Sequence, residues 1–243
     1  MAPLVTICKL TSDKMSTART KQARPATRPP LRATKQVRTR LAPADRRREL
    51  LRVAAALMTK GGVDAVQFAQ VASAAGVTRP LVYKFFASRP ALIIAVLDDF
   101  ATELNERFGR GAARSIPGNQ VEAAQVFVEA VCDTIEDRGA GPWHLLDAKG
   151  PDPQIARRAQ EILDGIVAPW RTHIAAFAGV SEREAATLAR MIVAAGRAVL
   201  ELWYSGELTR EEAVRDTTRG VSALVTGFAR ASTAAAPRKR ARP

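Results

Sequence analysis

Residues 62–92 read GVDAVQFAQVASAAGVTRPLVYKFFASRPAL. Apolar and small side chains in the first part recur at helical spacing, and Gly76 separates them from a second short helical pattern. Two short helices joined by a turn built on one glycine form a helix-turn-helix. Ala72 and Ala75 allow the helices to approach closely, and glycine adopts turn conformations that are costly for other residues. We therefore predict a helix-turn-helix over residues 67–86.

A pattern of hydroxyl, cation and proline occurs twice in this stretch, at residues 78–80 and 88–90. Proline is tolerated in the first turn of a helix, where its missing N–H has no intrahelical partner, and a preceding hydroxyl can cap the helix. The open N-terminus of a helix also favours a phosphate oxygen. The pattern therefore predicts the starts of a third and a fourth helix, both suited to lie near a nucleic-acid backbone.

The stretch resembles the DNA-binding domain of TetR-family repressors. The family has an alanine-rich second helix, then Ala-Ala-Gly-Val with a hydroxyl residue, Tyr-x-x-Phe, a basic residue and leucine. This chain has Ala74 to Thr78, Tyr83 to Phe86, Arg89 and Leu92 at those positions. The resemblance implies an all-α fold, in which an N-terminal three-helix helix-turn-helix domain precedes a larger helical domain that binds a ligand and dimerises.

The resemblance also implies which side chains meet DNA. The third helix would enter the major groove, with Arg79, Pro80 and Lys84 nearest the base edges. Thr78, Tyr83 and Arg89 would hold backbone phosphates. Two hydrogen bonds from Arg79 to one guanine would discriminate by about 1–3 kcal/mol. The predicted DNA-binding residues are Gln67, Thr78, Arg79, Pro80, Tyr83, Lys84 and Arg89.

Each of these assignments has a structural alternative. Tyr83 could be a packing aromatic with its hydroxyl in water, and Arg79 and Lys84 could form a solvated helix face. The family usually opens the second helix with Thr or Ser, whereas this chain has Val66-Gln67, which removes one hydroxyl contact with phosphate. Asp64 is then the alternative cap for that helix.

The net charge of +13 over 243 residues is unevenly distributed. Residues 1–42 hold 10 basic and 1 acidic side chain, and residues 43–90 hold 8 and 3. Residues 91–228 instead hold 14 basic and 20 acidic side chains. This pattern predicts that only the N-terminal part meets a polyanion.

We predict four segments from composition and periodicity. A disordered basic arm covers 1–42, the DNA-binding domain 43–103, the effector-binding and dimerisation domain 104–230, and a disordered basic tail 231–243. The basic ends could attract phosphates or enter a minor groove. We favour the alternative of solvated ends, or of Met15 as the true first residue.

Enzymatic motifs are absent from the sequence. It has no GxSxG, P-loop, HExxH or CxxC pattern and only two histidines. We predict no enzyme, no metal and no cofactor.

The longest apolar stretch, Met191–Trp203, is interrupted by Arg197 and Glu201 and is too short for a membrane span. Two cysteines cannot form a disulfide framework, so we expect a cytoplasmic protein.

Large aromatic and polar side chains stand out in the alanine-rich second domain. Such residues often line an internal cavity, so we predict a pocket for a small apolar or aromatic effector, with His144, His173 or Arg197 as polar anchors. The alternative for any one of them is ordinary core filling. The predicted effector-binding residues are Phe100, Phe127, Trp143, His144, Trp170, His173, Arg197 and Trp203.

The last two predicted helices carry small residues and resemble the dimer-forming pair of the family; the alternative is that they only cover the core of their own protomer. One helix-turn-helix contacts too few bases for specific binding, so we expect a homodimer. The predicted function is a ligand-responsive repressor that binds a palindromic operator and is released by an effector. The alternatives are a constitutive or architectural DNA-binding protein without an effector, and an enzyme or carrier with a vestigial helix-turn-helix.

Overall fold

The computed structural model describes residues 41–113, 119–146 and 152–235, and within these ranges all regular structure is helical. The predicted all-α fold is confirmed. The elements are α1 (Pro43–Gly61), a 3₁₀ turn (Val63–Ala65), α2 (Phe68–Ala74), α3 (Arg79–Phe85), α4 (Arg89–Ala112), α5 (Gln120–Arg138), α6 (Gly141–Leu145), α7 (Pro153–Ala178), α8 (Glu182–Tyr204) and α9 (Arg210–Ala235).

The predicted basic ends fall almost wholly outside the described residues. Residues 1–40 and 236–243 are not described. Helix α9 continues to Ala235, so residues 231–235, which composition placed in the tail, are helical. Three of these five residues are alanine, the residue with the highest helix propensity, and this favours continuation of the helix.

Helices α1 to α3 form the N-terminal three-helix unit. Gly62 ends α1 with φ of 68°, and Gly76 forms the turn between α2 and α3 with φ of 59°. Val71 and Val82 are fully buried between the helices, and Phe86 after α3 is 4% exposed. The predicted turn therefore takes the backbone conformation that favours glycine, and valines fill the wedge beneath it.

Helix α4 connects this unit to the rest of the chain. It is one continuous helix, capped by Ser88, whose hydroxyl oxygen accepts the N–H of Ala91 at 3.2 Å. Its fully buried side chains join one hydrophobic core that runs from α1 to α9. The proposed domain boundary after residue 103 lies inside this helix, and the hydrophobic core is continuous across it. The division into a DNA-binding and an effector-binding domain therefore stays a prediction.

Helices α5 to α9 form the larger helical body. Side-chain caps start two of the long helices: Asp152 accepts the N–H groups of Gln154 and Ile155, and Ser181 forms a reciprocal capping box with Glu184. The hydrogen bonds from Ser181 hold the pKa of the Glu184 carboxyl below its ordinary value. Local capping therefore fixes the starts of the long helices.

Within the described ranges, no single helix is long and apolar enough to cross a membrane. Helices α3 and α4 pass that test only as a pair, with a bend of 62° between them. The apolar side chains of α4 are buried inside this protein.

Candidate DNA-binding surface and effector cavity

One face of α3 is exposed and carries four of the predicted DNA-binding residues. Arg79 and Pro80 occupy the first turn, and Tyr83 and Lys84 follow one turn later on the same side. Val82, on the opposite side, is fully buried. The Arg79 and Lys84 side chains form no ion pair within the described part of the chain. The Arg79 and Lys84 side chains are therefore exposed to solvent on a helix whose opposite face packs into the core.

Thr78 is the N-cap residue of α3, as predicted, but its side chain makes no capping hydrogen bond. A capping hydroxyl normally accepts the second or third N–H of a helix. The second residue is Pro80, which has no N–H, and the third, Leu81, donates to the Thr78 backbone oxygen at 3.0 Å. The exposed hydroxyl is consequently left to solvent or to a phosphate.

Tyr83 packs against α2, as the structural alternative predicted, and it also remains exposed, so its phosphate contact stays a prediction. Its ring packs edge-on against Phe68 of α2, with centroids 4.5 Å apart and an interplanar angle of 69°. The residue is nevertheless 53% exposed. The aromatic contact fixes the ring beside α2 while a large part of the side chain remains accessible.

Arg89 is bonded to the protein itself. Its guanidinium donates to the backbone oxygens of Val63 (2.7 Å) and Val66 (2.9 Å) and to the Asp64 carboxylate (3.1 Å). The first residue of α4 is therefore tied to the connection that precedes α2. The predicted phosphate contact of Arg89 remains a prediction, whereas this bracing role was not expected from the sequence.

Gln67, not Asp64, is the N-cap residue of α2. The suggestion that Asp64 caps this helix is wrong, because its carboxylate lies in the preceding 3₁₀ turn and pairs with Arg89. The Gln67 side chain is exposed and donates to the Asp64 backbone oxygen at 3.1 Å. Gln67 therefore stands where the family usually has a hydroxyl residue, and its side chain does not cap α2.

A cavity of about 130 Å³ lies between α5, α7, α8 and α9. Its wall is almost entirely apolar. Four predicted effector-binding residues line it: Phe127, Trp143, Trp170 and Arg197. The rings of Phe127 and Trp170 lie 5.5 Å apart. The cavity predicted from the aromatic side chains is therefore present, with half of the proposed residues in its wall.

The other four residues lie outside the cavity wall. Phe100 is fully buried behind Trp143, with ring centroids 6.3 Å apart, and Trp203 is half-buried against the main core. His144 is on the surface beside Glu201, and His173 is exposed with its Nδ1 2.8 Å from the backbone oxygen of Pro169. Both histidines point away from the cavity because α6 and α7 turn Trp143 and Trp170 inward.

Arg197 is the predicted polar anchor that the structure does place at the cavity. Its guanidinium lies 5.3 Å from the centre of the Trp143 ring. It also donates to the backbone oxygens of Trp143 (3.2 Å) and His144 (3.3 Å). The cation thus satisfies carbonyl groups at the end of α6, where helix C-termini favour positive charge.

Most of the cavity wall was missed by the sequence reasoning. Ile166, Ile174, Ile192, Leu200 and Val225 are aliphatic residues at helical spacing. The same pattern is found in a filled core, so nothing in the sequence separates a residue that lines a cavity from one that packs solidly. The sequence pattern distinguished only the large aromatic side chains and the polar residues near them.

Comparison with known proteins supports this architecture. Residues 50–96 match the family model described as "Bacterial regulatory proteins, tetR family". A TetR-like transcriptional regulator from Rhodococcus sp. RHA1 gives a TM-score of 0.61 at 18% identity, over 81% of this chain and 100% of that one. A tetR-family regulator from Streptomyces coelicolor gives 0.58 at 21% identity, over 82% and 93%. FadR from Bacillus subtilis, solved in complex with stearoyl-CoA, gives 0.61 at 14% identity, over 74% and 98%.

The described helices form a helix-turn-helix with an exposed second helix, joined to a larger all-helical body, and this arrangement suits DNA binding. The fold of the chain is that of solved TetR-family regulators, and its N-terminal helix-turn-helix lies within the segment that matches the tetR family model. The matched family and these neighbours are described as regulators of transcription rather than as enzymes.

Proposed function

We propose that the chain is a ligand-responsive repressor, acting in the cytoplasm, which binds a palindromic operator as a homodimer and leaves it when a small molecule occupies the cavity. The main support is that the exposed basic helix α3 and the internal apolar cavity are connected by one continuous hydrophobic core. Such a core can pass a change at the cavity to the DNA-binding helix.

The proposed DNA contacts follow from the exposed face of α3. Arg79 and Lys84 would approach base edges in the major groove, while Thr78 and Tyr83 would hold the phosphate backbone on either side. Gln67, at the start of α2, would lie near the same backbone. Pro80 presents an apolar ring at the first turn, suited to a thymine methyl group.

A second copy is the proposed partner of α8. Met191, Ala194, Ala195, Ala198 and Leu202 are exposed and recur at helical spacing along this helix. Met191 and Leu202 are 42% and 40% exposed. An apolar stripe with small central residues allows two helices to pack closely across a two-fold axis. Leu202→Arg should therefore shift sedimentation from dimer to monomer, whereas Thr172→Arg on α7 should not.

The effector would act through α4. Arg138 of α5 donates to Glu103 of α4 at 2.7 Å, and Arg158 of α7 donates to Asp98 of α4 at 2.8 Å. Helices that line the cavity are thus bonded to α4, which begins directly after the helix-turn-helix. Driving the operator-bound state from 99:1 to 1:99 requires about 5.5 kcal/mol of differential effector affinity.

The direct test begins with selection of the preferred duplex from random DNA. Affinity for that duplex and for a scrambled one is then measured by fluorescence anisotropy. Arg79→Ala should reduce the discrimination by about 1–3 kcal/mol, because it removes a base contact. The matched control is Arg171→Ala on α7, which removes an exposed arginine far from α3. Equal discrimination in both variants would contradict the proposal.

The alternative of DNA binding without an effector predicts a different result in one further measurement. Fractions of a cell extract, freed of protein, are titrated into the complex between the chain and its selected duplex. Release by a small-molecule fraction supports a ligand-responsive repressor. Binding that no fraction relieves, together with no change in tryptophan fluorescence, would favour the constitutive regulator.

A further inference from the structure

The cavity is long and narrow. Its lining residues extend from Val121 to Val131 on α5 and from Thr217 to Thr226 on α9. At 1.5 Å per residue, these spans give a length of about 15 Å along the helix axes. A volume of about 130 Å³ drawn out over that length accommodates an extended chain better than a compact ring system.

The cavity continues into a groove on the surface. Val121, Ser222 and Thr226 line both the cavity and a groove of about 770 Å³ between α5 and α9. Arg197, the one charged side chain that lines the cavity within the described residues, lies at the other end and is bonded to α6. A ligand in the cavity can therefore reach solvent and polar groups at the groove end.

The groove differs from the cavity in its chemistry. Its charged lining residues are Arg210, Arg215, Arg219, Glu129 and Glu211. The guanidinium of Arg210 is paired with Asp133 and Glu136, and that of Arg215 with Asp216. Within the described chain, Arg219 is exposed and forms no direct ion pair or hydrogen bond, and its charge interaction is with the Asp216 carboxylate one turn earlier, which is itself bonded to Arg215. Arg219 lies one helical turn before Ser222, at the junction with the cavity.

We propose, building on the function above, that the effector is an amphipathic anion. Its unbranched apolar tail would occupy the cavity, and its acidic head would lie in the groove against Arg219. Free carboxylates and larger phosphate-bearing esters share this chemistry. The tail gains free energy by leaving water, and the guanidinium offers charge-assisted hydrogen bonds to the head.

The test uses three ten-carbon probes, sodium decanoate, decyl phosphate and 1-decanol, against the full-length chain. Binding is followed by tryptophan fluorescence in a Trp203→Phe variant, which retains the two tryptophans of the cavity wall. We expect an anionic probe to bind at least about tenfold more tightly than 1-decanol, since a hydrogen bond to a charged group is of that strength. The anion that binds more tightly identifies the head.

The matched variants are Arg219→Gln and Arg183→Gln, both at exposed arginines. Arg219→Gln should weaken the anion about tenfold and leave 1-decanol unchanged, and Arg183→Gln should change neither. Equal affinity for anion and alcohol, or equal effects of the two variants, would overturn the proposal. So would tighter binding of toluene than of any decyl probe. Each of these results would leave operator binding intact, so failure of this proposal is distinguishable from failure of the proposed function.

Discussion

The backbone N–H of Gly141, the first residue of α6, donates to the Thr59 hydroxyl near the end of α1 at 3.0 Å. Thr59 in turn donates to the backbone oxygen of Ala55 at 3.0 Å. Trp143, on the same turn as Gly141, lines the cavity. A five-residue helix thus joins the cavity wall directly to the first helix of the DNA-binding domain.

Gly141→Ala should destabilise this junction. A Cβ at position 141 would lie 2.6 Å from the backbone nitrogen of Thr59, so α6 would have to move away from α1. We expect the free energy of unfolding, measured by urea denaturation, to fall by about 1–3 kcal/mol. Gly165→Ala is the control: its Cβ would meet open space in the middle of α7, and helix propensity should make it stabilising by about 1 kcal/mol. If both variants are stabilised, α6 and α1 do not pack as described.

Arg89→Ala should reduce stability, whereas Arg79→Ala should reduce DNA affinity. Arg89 donates to Val63 and Val66, so its loss should lower the free energy of unfolding by about 2 kcal/mol. Arg79 is exposed at the start of α3, so its loss should weaken binding to the selected operator without changing stability. Thermal denaturation and anisotropy of the same samples provide the comparison. An Arg89→Ala protein of unchanged stability would show that the hydrogen bonds from Arg89 to Val63 and Val66 do not stabilise the fold.

Thr217→Val should stabilise the chain or leave it unchanged. The Thr217 hydroxyl oxygen is buried and has no hydrogen-bond partner within the described part of the chain. An isosteric methyl group removes that unsatisfied atom, and the expected gain is about 1 kcal/mol. Thr134→Val is the matched control, because the fully buried Thr134 hydroxyl donates to the Ala130 backbone oxygen at 2.7 Å. That variant should lose about 1 kcal/mol. The reverse order in chemical denaturation would be inconsistent with these contacts.

The Cys132 thiol should be inert in the folded protein. Burial raises its pKa from 9.0 to about 12, against a smaller lowering by Arg210. Because the folded-state pKa is the higher one, this contribution to stability is complete below about pH 9 and is lost as the pH rises towards 12. A Cys8→Ser protein should therefore react with a thiol reagent at about pH 8 only after unfolding. Rapid modification of the native protein would contradict the buried position.

Local chemistry explains which parts of the fold were predictable from the sequence. The turn at Gly76, the caps at Asp152 and Ser181 and the exposed face of α3 each follow from side chains a few residues apart. Such short-range interactions are encoded in adjacent positions, so periodicity and capping rules identify them.

Long-range contacts were beyond the same reasoning. Arg89 reaches Val63 and Val66 across the connection between α1 and α2, and no local rule pairs a helix-start arginine with those oxygens. His144 and His173 were placed at the cavity because polar side chains beside tryptophans suggest a site. The helix rotation that points them outward depends on packing of the whole body.

Hydroxyl-radical footprinting of the selected operator shows whether two copies of α3 contact one duplex. If they do, we expect two protected patches on one face of the duplex, with centres about 34 Å or one helical turn apart. Both patches should weaken together in Arg79→Ala. A single patch, or uniform protection that is the same on random DNA, would show that α3 does not contact DNA as a symmetric pair.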